Sequence, residues 1–485
     1  MPHSNMNEST AVPGRPNVVL IVSDDHGYAD RGATGVDPAV LTPHLDQLAE
    51  NGVTCPQAYV TAPVCSPSRA GLIAGRHQGR WGGAWFGHTE FATQHRTIAE
   101  ELSSLGYTCG YFGKVHYGSE DIGDRACPPH HGFDTTYYGL AGQQQGRLNY
   151  LRHSQEAVAE YGQEGSWRMG VQPMLDGDEP EELEGFLTAE LGRRTRQFIT
   201  DNADRPFFAM VAFNAVHNFC WQLPPEELQR RGLPSREDWH GSESDTADYL
   251  EWYEGSISPN LEHGREYYLA QLELMDREIG SISAELTRHG LAEDTLIVYL
   301  TDNGGSPCNY GDNTPLRGSK YTLWEGGIRV PFIVSWPGGG ITRGASTDQV
   351  VSSLDILPTL LSAAGVTDPP TDLDGIDLLP QLRGQRTPQE RTLHWDCGFQ
   401  WAIRSGDWKL THVTAGSTTA AIQSVEHADP GSGYRLHDLR HDPGEQRDLT
   451  GRHPQVARDL EAAHEAWRAT TDLAGLDRTE AAHWA

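Results

Sequence analysis

The 485-residue sequence predicts an α/β fold: helices sandwiching a large, mostly parallel sheet, followed by a smaller antiparallel subdomain. Three observations carry this expectation. Apolar runs rich in β-branched residues, the mark of strands buried on both faces, occur at residues 17–22, 206–213 and 295–301. Helical patterns alternate with these runs, and polar clusters follow the runs directly. After about residue 385 the texture changes to short alternating segments.

Residues 17–22 (NVVLIV) form the first expected strand, and Ser23-Asp24-Asp25-His26-Gly27 follows at once. Two carboxylates therefore sit just past a strand's carboxyl end, where open α/β sheets bind ligands. The next segment reads as a helix: Thr42 caps it, Pro43 opens it, Leu45, Leu48 and Ala49 share a face, and Gly52 stops it. Residues 65–76 read as a turn into a short helix, with Pro67 in its first position and Gly75 as its stop. Residues 97–105 form a helix ended by Gly106, and residues 107–112 a strand before Gly113-Lys114-Val115-His116. The strand at 206–213 leads to Asn214 and His217. A long amphipathic helix spans 265–288, closed by Gly290, and the strand at 295–301 delivers Asp302-Asn303-Gly304-Gly305. A further strand covers 330–336. The domain division expected is 1–385 for the main domain and 386–485 for the C-terminal subdomain, whose antiparallel strands lie within 391–395, 401–411 and 434–439 and whose closing helix spans 454–469. Residues 143–184 and 237–255 read as long surface insertions, where specificity usually resides.

Composition narrows the function. With 67 acidic against 37 basic residues the net charge is −30, which repels polyanions at long range. Nucleic acid is excluded as a partner because no basic block offsets that field. Long anionic chains are repelled as well, unless a local basic pocket wins. The seven cysteines (55, 65, 109, 127, 220, 308 and 397) form no CxxC pair. No secretion signal stands in residues 1–16 and no apolar run spans a bilayer, so the expectation is a cytoplasmic protein with no membrane partner, or an extracytoplasmic one only if a signal has been removed.

Asp24-Asp25 and Asp302-Asn303 each follow a strand, and hard divalent cations take several oxygen ligands of this kind. Either pair alone is more often a turn or a helix cap. Cys65-Ser66-Pro67-Ser68-Arg69 places a cysteine at a helix N-terminus, where free N–H groups favour anions, with Arg69 one turn on. Alone, such a cysteine is more often a small buried hydrophobe.

Together, Cys65-Ser66-Pro67-Ser68-Arg69 and Gly75-Arg76 resemble the signature of type I, formylglycine-dependent sulfatases, arylsulfatase-like members of the alkaline phosphatase superfamily. Ala74 stands where that family usually carries threonine. The likeness continues in order through Gly113–His116, residues 316–331 and residues 434–449 (YRLHDLRHDPGEQRDL). It implies an alkaline phosphatase-like sandwich and oxidation of Cys65 to an aldehyde by a formylglycine-generating enzyme. It also implies one divalent cation, calcium or else magnesium, held by Asp24, Asp25, Asp302, Asn303 and the modified residue 65. Arg69, Lys114 and Lys320 would clamp sulfate. His217, whose flanks lack the family's usual prolines, would serve with Lys320 as acid for the leaving oxygen, and His116 as base.

The chemistry implied is hydrolysis of a carbohydrate or aryl sulfate monoester. A hydrated aldehyde carries two hydroxyls: one attacks sulfur, and deprotonation of the other expels sulfate and restores the aldehyde. The acidic balance favours a small, singly sulfated substrate. Two alternatives remain at this point: a phosphonate monoester or phosphodiester hydrolase using the same aldehyde, and a binding protein with unmodified Cys65. Trp81, Trp85 and His88 read either as a ring-stacking pocket or as core and loop anchors.

Overall fold

A computed structural model describes residues 14–118, 121–141, 146–239, 252, 260–415 and 432–478. The strands in the first half are β1 (Asn17–Ser23), β2 (Gly52–Thr54), β3 (Ala58–Tyr59), β4 (Thr108–Lys114), β5 (Thr135–Gly139), β6 (Met174–Asp176) and β7 (Glu179–Glu181). They are followed by β8 (Phe207–Ala212), β9 (Thr295–Thr301), β10 (Phe332–Ser335), β11 (Ala345–Ser346) and β12 (Val351–Ser352). Ten of them make one sheet in the order β11-β2-β10-β9-β1-β8-β4-β5-β6-β7. Its centre, β9-β1-β8-β4-β5, is parallel throughout, whereas β10 pairs antiparallel with β9 and β2.

Full burial of β1 explains its unbroken apolar sequence. Val18, Leu20 and Val22 feed one core, and Val19 and Ile21 feed another on the opposite face. The first core takes Leu72 and Ile73 of helix α2 (Cys65–Ala74) and Ile98 and Leu102 of α3 (Ile98–Ser104). The second takes Leu45 and Leu48 of α1 (Pro43–Glu50) and residues of the Leu187–Asp201 and Gly264–Arg288 helices. The expected sandwich is thus present. All seven cysteines are free thiols. No helix among the described residues is long and apolar enough to cross a membrane.

Three local readings differ from expectation. Thr42 does not cap α1, because its hydroxyl accepts from Gly32 N instead (2.8 Å). Asp276 of the Gly264–Arg288 helix takes over, accepting from His44 N (3.0 Å) and Leu45 N (2.8 Å). Pro67 is the third residue of α2, a position equally free of an intrahelical N–H bond. Residues 146–184 are no loose insertion: they hold the Gln155–Met169 helix and β6 and β7, which extend the sheet edge, and they bury Asn149, Tyr150 and His153. Most of 237–255 lies outside the described residues.

The C-terminal sheet comprises β13 (Thr392–Asp396), β14 (Gln400–Ser405), β15 (Trp408–Val413) and β16 (Gly433–Asp438), a four-stranded antiparallel meander closed by the Pro454–Arg468 helix. Its seam with the main domain carries a buried ionic cluster. Fully buried Lys409 sits 2.9 Å from Glu325 Oε1 and 3.0 Å from Glu445 Oε1. Glu445 also accepts from Glu325 N (2.6 Å), and Tyr59 donates to Glu325 Oε2 (2.6 Å). Burial opposes ionisation of Glu325, yet Lys409, Arg329 and Arg404 hold it below the usual carboxylate range. Removing one partner of such a cluster strands the others. Lys409→Met is expected to cost about 3–5 kcal/mol, read from urea unfolding against the wild-type chain.

Histidines line the same seam. His394 stacks on Trp467 (4.7 Å, 2°), and burial, then His464 and His77, push it down to about 3. A histidine held neutral in the fold binds fewer protons than in the unfolded chain, so its stabilisation is intact above about pH 6.5 and is lost as pH falls towards 3. His394→Phe keeps the stack and removes the titration. The decline of Tm between pH 6.5 and 4 is expected to be shallower in this variant, measured by calorimetry across that range.

Candidate active site

Adjacent strands β9, β1, β8 and β4 end at one edge of the sheet. Beyond them lie Asp302-Asn303, Asp24-Asp25, Asn214 to His217 and Lys114 to His116, respectively. Backbone bonds continue the ladder into these turns: Asp24 N donates to Ala215 O (2.8 Å), Val216 N to Asp24 O (2.7 Å) and Asp302 N to Ser23 O (3.2 Å). Helix α2 enters with its N-terminus at this edge, so Cys65 opens the helix and Arg69 follows one turn later. Gly304 explains how the Lys320 segment closes the site. A Cβ there would lie 1.8 Å from Gly326 O, so only glycine lets the two backbones meet. Gly304 N then donates to Gly327 O (2.9 Å) and Lys320 N to Gly305 O (3.2 Å).

All ten residues expected at the site are brought together, and none is more than 5% exposed. Three carboxylates meet three cations. Lys114 pairs with Asp24 Oδ2, Arg69 Nε with Asp302 Oδ2 (2.7 Å) and Lys320 Nζ with Asp25 Oδ1 (2.8 Å). Cys65 Sγ faces Asp24 Oδ1 at 3.6 Å. His217 Nε2 accepts from Lys320 Nζ (3.0 Å) and lies 3.6 Å from Asp25 Oδ2. Burial, then Lys320 and Lys114, keep His217 well below its usual range and therefore neutral. His116 faces the pocket from the end of β4: a Cβ on Gly146 would lie 2.7 Å from its Cε1 and 3.4 Å from Lys114 Nζ.

The donor set fits both a hard cation and an anion. One atom each of Asp24, Asp25, Cys65 and His217 lies within 4.8 Å of the others. Asn303 donates through Nδ2 to Asp25 Oδ1 (2.6 Å), which leaves its buried Oδ1 without a hydrogen-bond partner. Burial and then Asp302 push Asp24 up to about 7, against the opposing pull of Lys114 and Arg69. Conversely, Arg69 Nη2 is a buried donor with no hydrogen-bond partner, 3.5 Å from Asp24 Oδ2. An orphan acceptor and an orphan donor share one pocket.

Several residues that no motif marks also reach the site. Asn309 donates through Nδ2 to Asp25 Oδ2, and Arg147 lies close enough to depress His217 further. Tyr150 donates to the carbonyls of Asn214 and His217 (3.1 Å each), fixing the loop that carries His217. Trp85 is buried core against Phe399, and Trp81 is only half-buried, its Nε1 donating to Glu90 O. It is Phe86, unmarked in the sequence, that stacks on His116 (6.1 Å, 21°).

Comparison with known proteins identifies the family. The Sulfatase family matches residues 16–366, and the family described as N-sulphoglucosamine sulphohydrolase, C-terminal, matches residues 319–468. Arylsulfatase A of Bos taurus is 31% identical over 477 residues, covering 92% of this chain and 86% of that protein. Steryl-sulfatase of Rattus norvegicus is 30% identical over 562 residues, covering 95% and 90%. The crystal structure of Ps i-CgsB superposes with a TM-score of 0.78 over 97% of both chains at 25% identity. The chain belongs to the sulfatase family and is a sulfuric ester hydrolase with an alkaline phosphatase-like fold.

Proposed function

We propose that the protein hydrolyses a sulfate monoester using formylglycine at position 65 and one divalent cation, calcium in preference to magnesium. The observation that carries this reading is the pairing of orphans: Asn303 Oδ1 lacks a donor while Arg69 Nη2 lacks an acceptor in the same buried pocket. Asp24, Asp25, Asp302 and Asn303 would hold the cation through oxygen, with residue 65 beside them. A hard cation fits because Asp24, Asp25, Asp302 and Asn303 offer oxygen donors, and oxidation of Cys65 would replace its soft sulfur with oxygen. The cation would supply Lewis acidity at a sulfate oxygen, and formylglycine would supply a nucleophile that releases sulfate by elimination. Maturation by a formylglycine-generating enzyme belongs to the same proposal.

The chain's own groups divide the remaining work by charge. Asp24, Asp25 and Asp302 balance Arg69, Lys114 and Lys320, so a bound dication leaves a local surplus of two positive charges. That surplus matches a sulfate dianion as product. Arg69 Nη2 is aimed at a sulfate oxygen, and Lys114 and Lys320 flank it. Lys320 Nζ holds the proton for the leaving oxygen, with neutral His217 Nε2 orienting it. His116 accepts the proton whose loss resets residue 65. Tyr150 acts one step back, holding His217 in register with Lys320.

Three outcomes follow. Trypsin releases residues 32–69 as one peptide, and in protein from a host with the maturation enzyme its mass is expected to show the CH2–SH of position 65 converted to an aldehyde CH=O, a loss of sulfur and two hydrogens with a gain of one oxygen. Only the thiol in such a preparation overturns the reading; Cys65→Ala is expected to abolish turnover of sulfate esters. Tyr150→Phe removes both hydrogen bonds to the His217 loop. It is expected to lower kcat about 10-fold, equivalent to about 1.4 kcal/mol, with KM little changed, in steady-state assays.

A further inference from the structure

Both oxygens of Asp25 are already saturated within the protein. Oδ1 accepts from Asn303 Nδ2 (2.6 Å) and lies 2.8 Å from Lys320 Nζ. Oδ2 accepts from Asn309 Nδ2 (2.5 Å) and from the same ammonium (2.9 Å). An ionised carboxylate offers about four acceptor positions, so a cation that takes Asp25 as a ligand must displace part of this set. Two of the donors have a second partner. Asn303 Nδ2 also donates to Gly304 O (2.9 Å), and Lys320 Nζ to His217 Nε2 (3.0 Å). Both can release Asp25 and stay hydrogen-bonded, which leaves the Asn309 amide to hold the carboxylate.

Asn309 is buried and is itself held firmly, although it sits on no strand. It ends the short turn Pro307–Asn309, and its N–H and that of Gly311 both donate to Ser306 O (3.0 and 3.1 Å). On one side the Asn313 side chain pairs with Gly305 as a peptide would, accepting from its N–H (2.9 Å) and donating to its carbonyl (2.9 Å). On the other side Tyr310 stands at φ 65°, a conformation that bulky residues seldom adopt. Arg265 Nη1 donates to its carbonyl (2.8 Å), and its hydroxyl accepts from Leu261 N (2.7 Å). A turn tied down on both flanks, one of them in a disfavoured conformation, points to a role for the side chain it carries inward.

We propose that Asn309 is a positioning residue of the cation site: its amide fixes Asp25 as a ligand and so sets how tightly the cation is held. This rests on the cation reading given above. Groups that orient a ligand carboxylate contribute about 10- to 100-fold to metal affinity. The residue type suits the task. A neutral amide adds no charge to a pocket in which three carboxylates already balance three cations. A lysine at this position would repel the incoming cation, and an aspartate would face Asp25 as a like charge.

The test uses enzyme with conversion at position 65 verified by mass, stripped of cations with a chelator and dialysed. Calcium is then titrated calorimetrically into wild type, Asn309→Ala and the milder Asn309→Ser, which keeps a polar but shorter side chain in the turn. The alanine variant is expected to raise the calcium Kd about 10-fold or more, and the serine variant to raise it in the same direction. The gain in Tm on adding a fixed calcium concentration is expected to shrink in both. A residue that merely supports the loop would lower Tm equally with and without calcium and leave Kd unchanged; that result in either folded variant overturns the proposal. If stripped, converted wild-type enzyme binds neither calcium nor magnesium, the cation reading itself fails and the role of Asn309 goes with it.

Discussion

Three carboxylates and three cations buried in one dry pocket are the constraint on which the rest of this molecule depends. Each ion taken alone from water would cost several kcal/mol, and none is tolerable without its partners. The pairs Lys114–Asp24, Arg69–Asp302 and Lys320–Asp25 must therefore be built to within hydrogen-bond distance. A parallel sheet does this economically. Strands β9, β1, β8 and β4 end in register, and each delivers one polar turn to the same edge. The fully apolar strands behind them are what keep that edge dry and fixed.

The C-terminal sheet belongs to the same construction. Lys409 of β15 ties Glu325 to Glu445, and Glu325 opens the Gly326-Gly327 segment that packs on Gly304 beside Asn303. Gln400 of β14 holds the carbonyl of Tyr321, next to Lys320. Two strands of the smaller sheet thus reach Lys320 through one residue or a short segment. A sulfatase lacking this sheet would leave Lys320 on an unsupported loop and strand Glu325 without its cation.

Much of this was legible in the sequence, for a physical reason. Residues at the ends of buried strands were legible because Asp24-Asp25 and Asp302-Asn303 each follow an apolar run and stand together with the Cys65–Arg69 motif, although either pair alone reads as a turn. The helix over 97–105 with Gly106 as its stop was legible in the same way, through local chemistry, and the structure places Ile98–Ser104 there. Asn309, Arg147, Tyr150, Phe86 and Tyr321 were not. They reach the site from loops whose path is set by distant packing, and nothing in the local sequence at Tyr321 encodes a φ of 77°. Thr42 failed for a related reason: a good capping residue was taken by Gly32, and Asp276, far away in sequence, replaced it. Residues 146–184 were misread because their apolar residues are spread over a broken helix and two short strands, too short to show a period.

The contrast between an acidic exterior and a pocket built around Arg69, Lys114 and Lys320 sets what can enter. Repulsion between exposed charges fades over about 10 Å at 0.1 M salt, so the net charge of −30 acts on whatever part of a ligand stays outside. Buried charges are screened by salt far less than exposed ones, so the pocket's own charges act on any anion that reaches them. A ligand with one sulfate meets the outer field only in passing. A ligand with several leaves the rest of its charge in that field for as long as it is bound. Under the proposed reading, the charge of the substrate is therefore filtered by the contrast between the acidic exterior and the buried cations of the pocket.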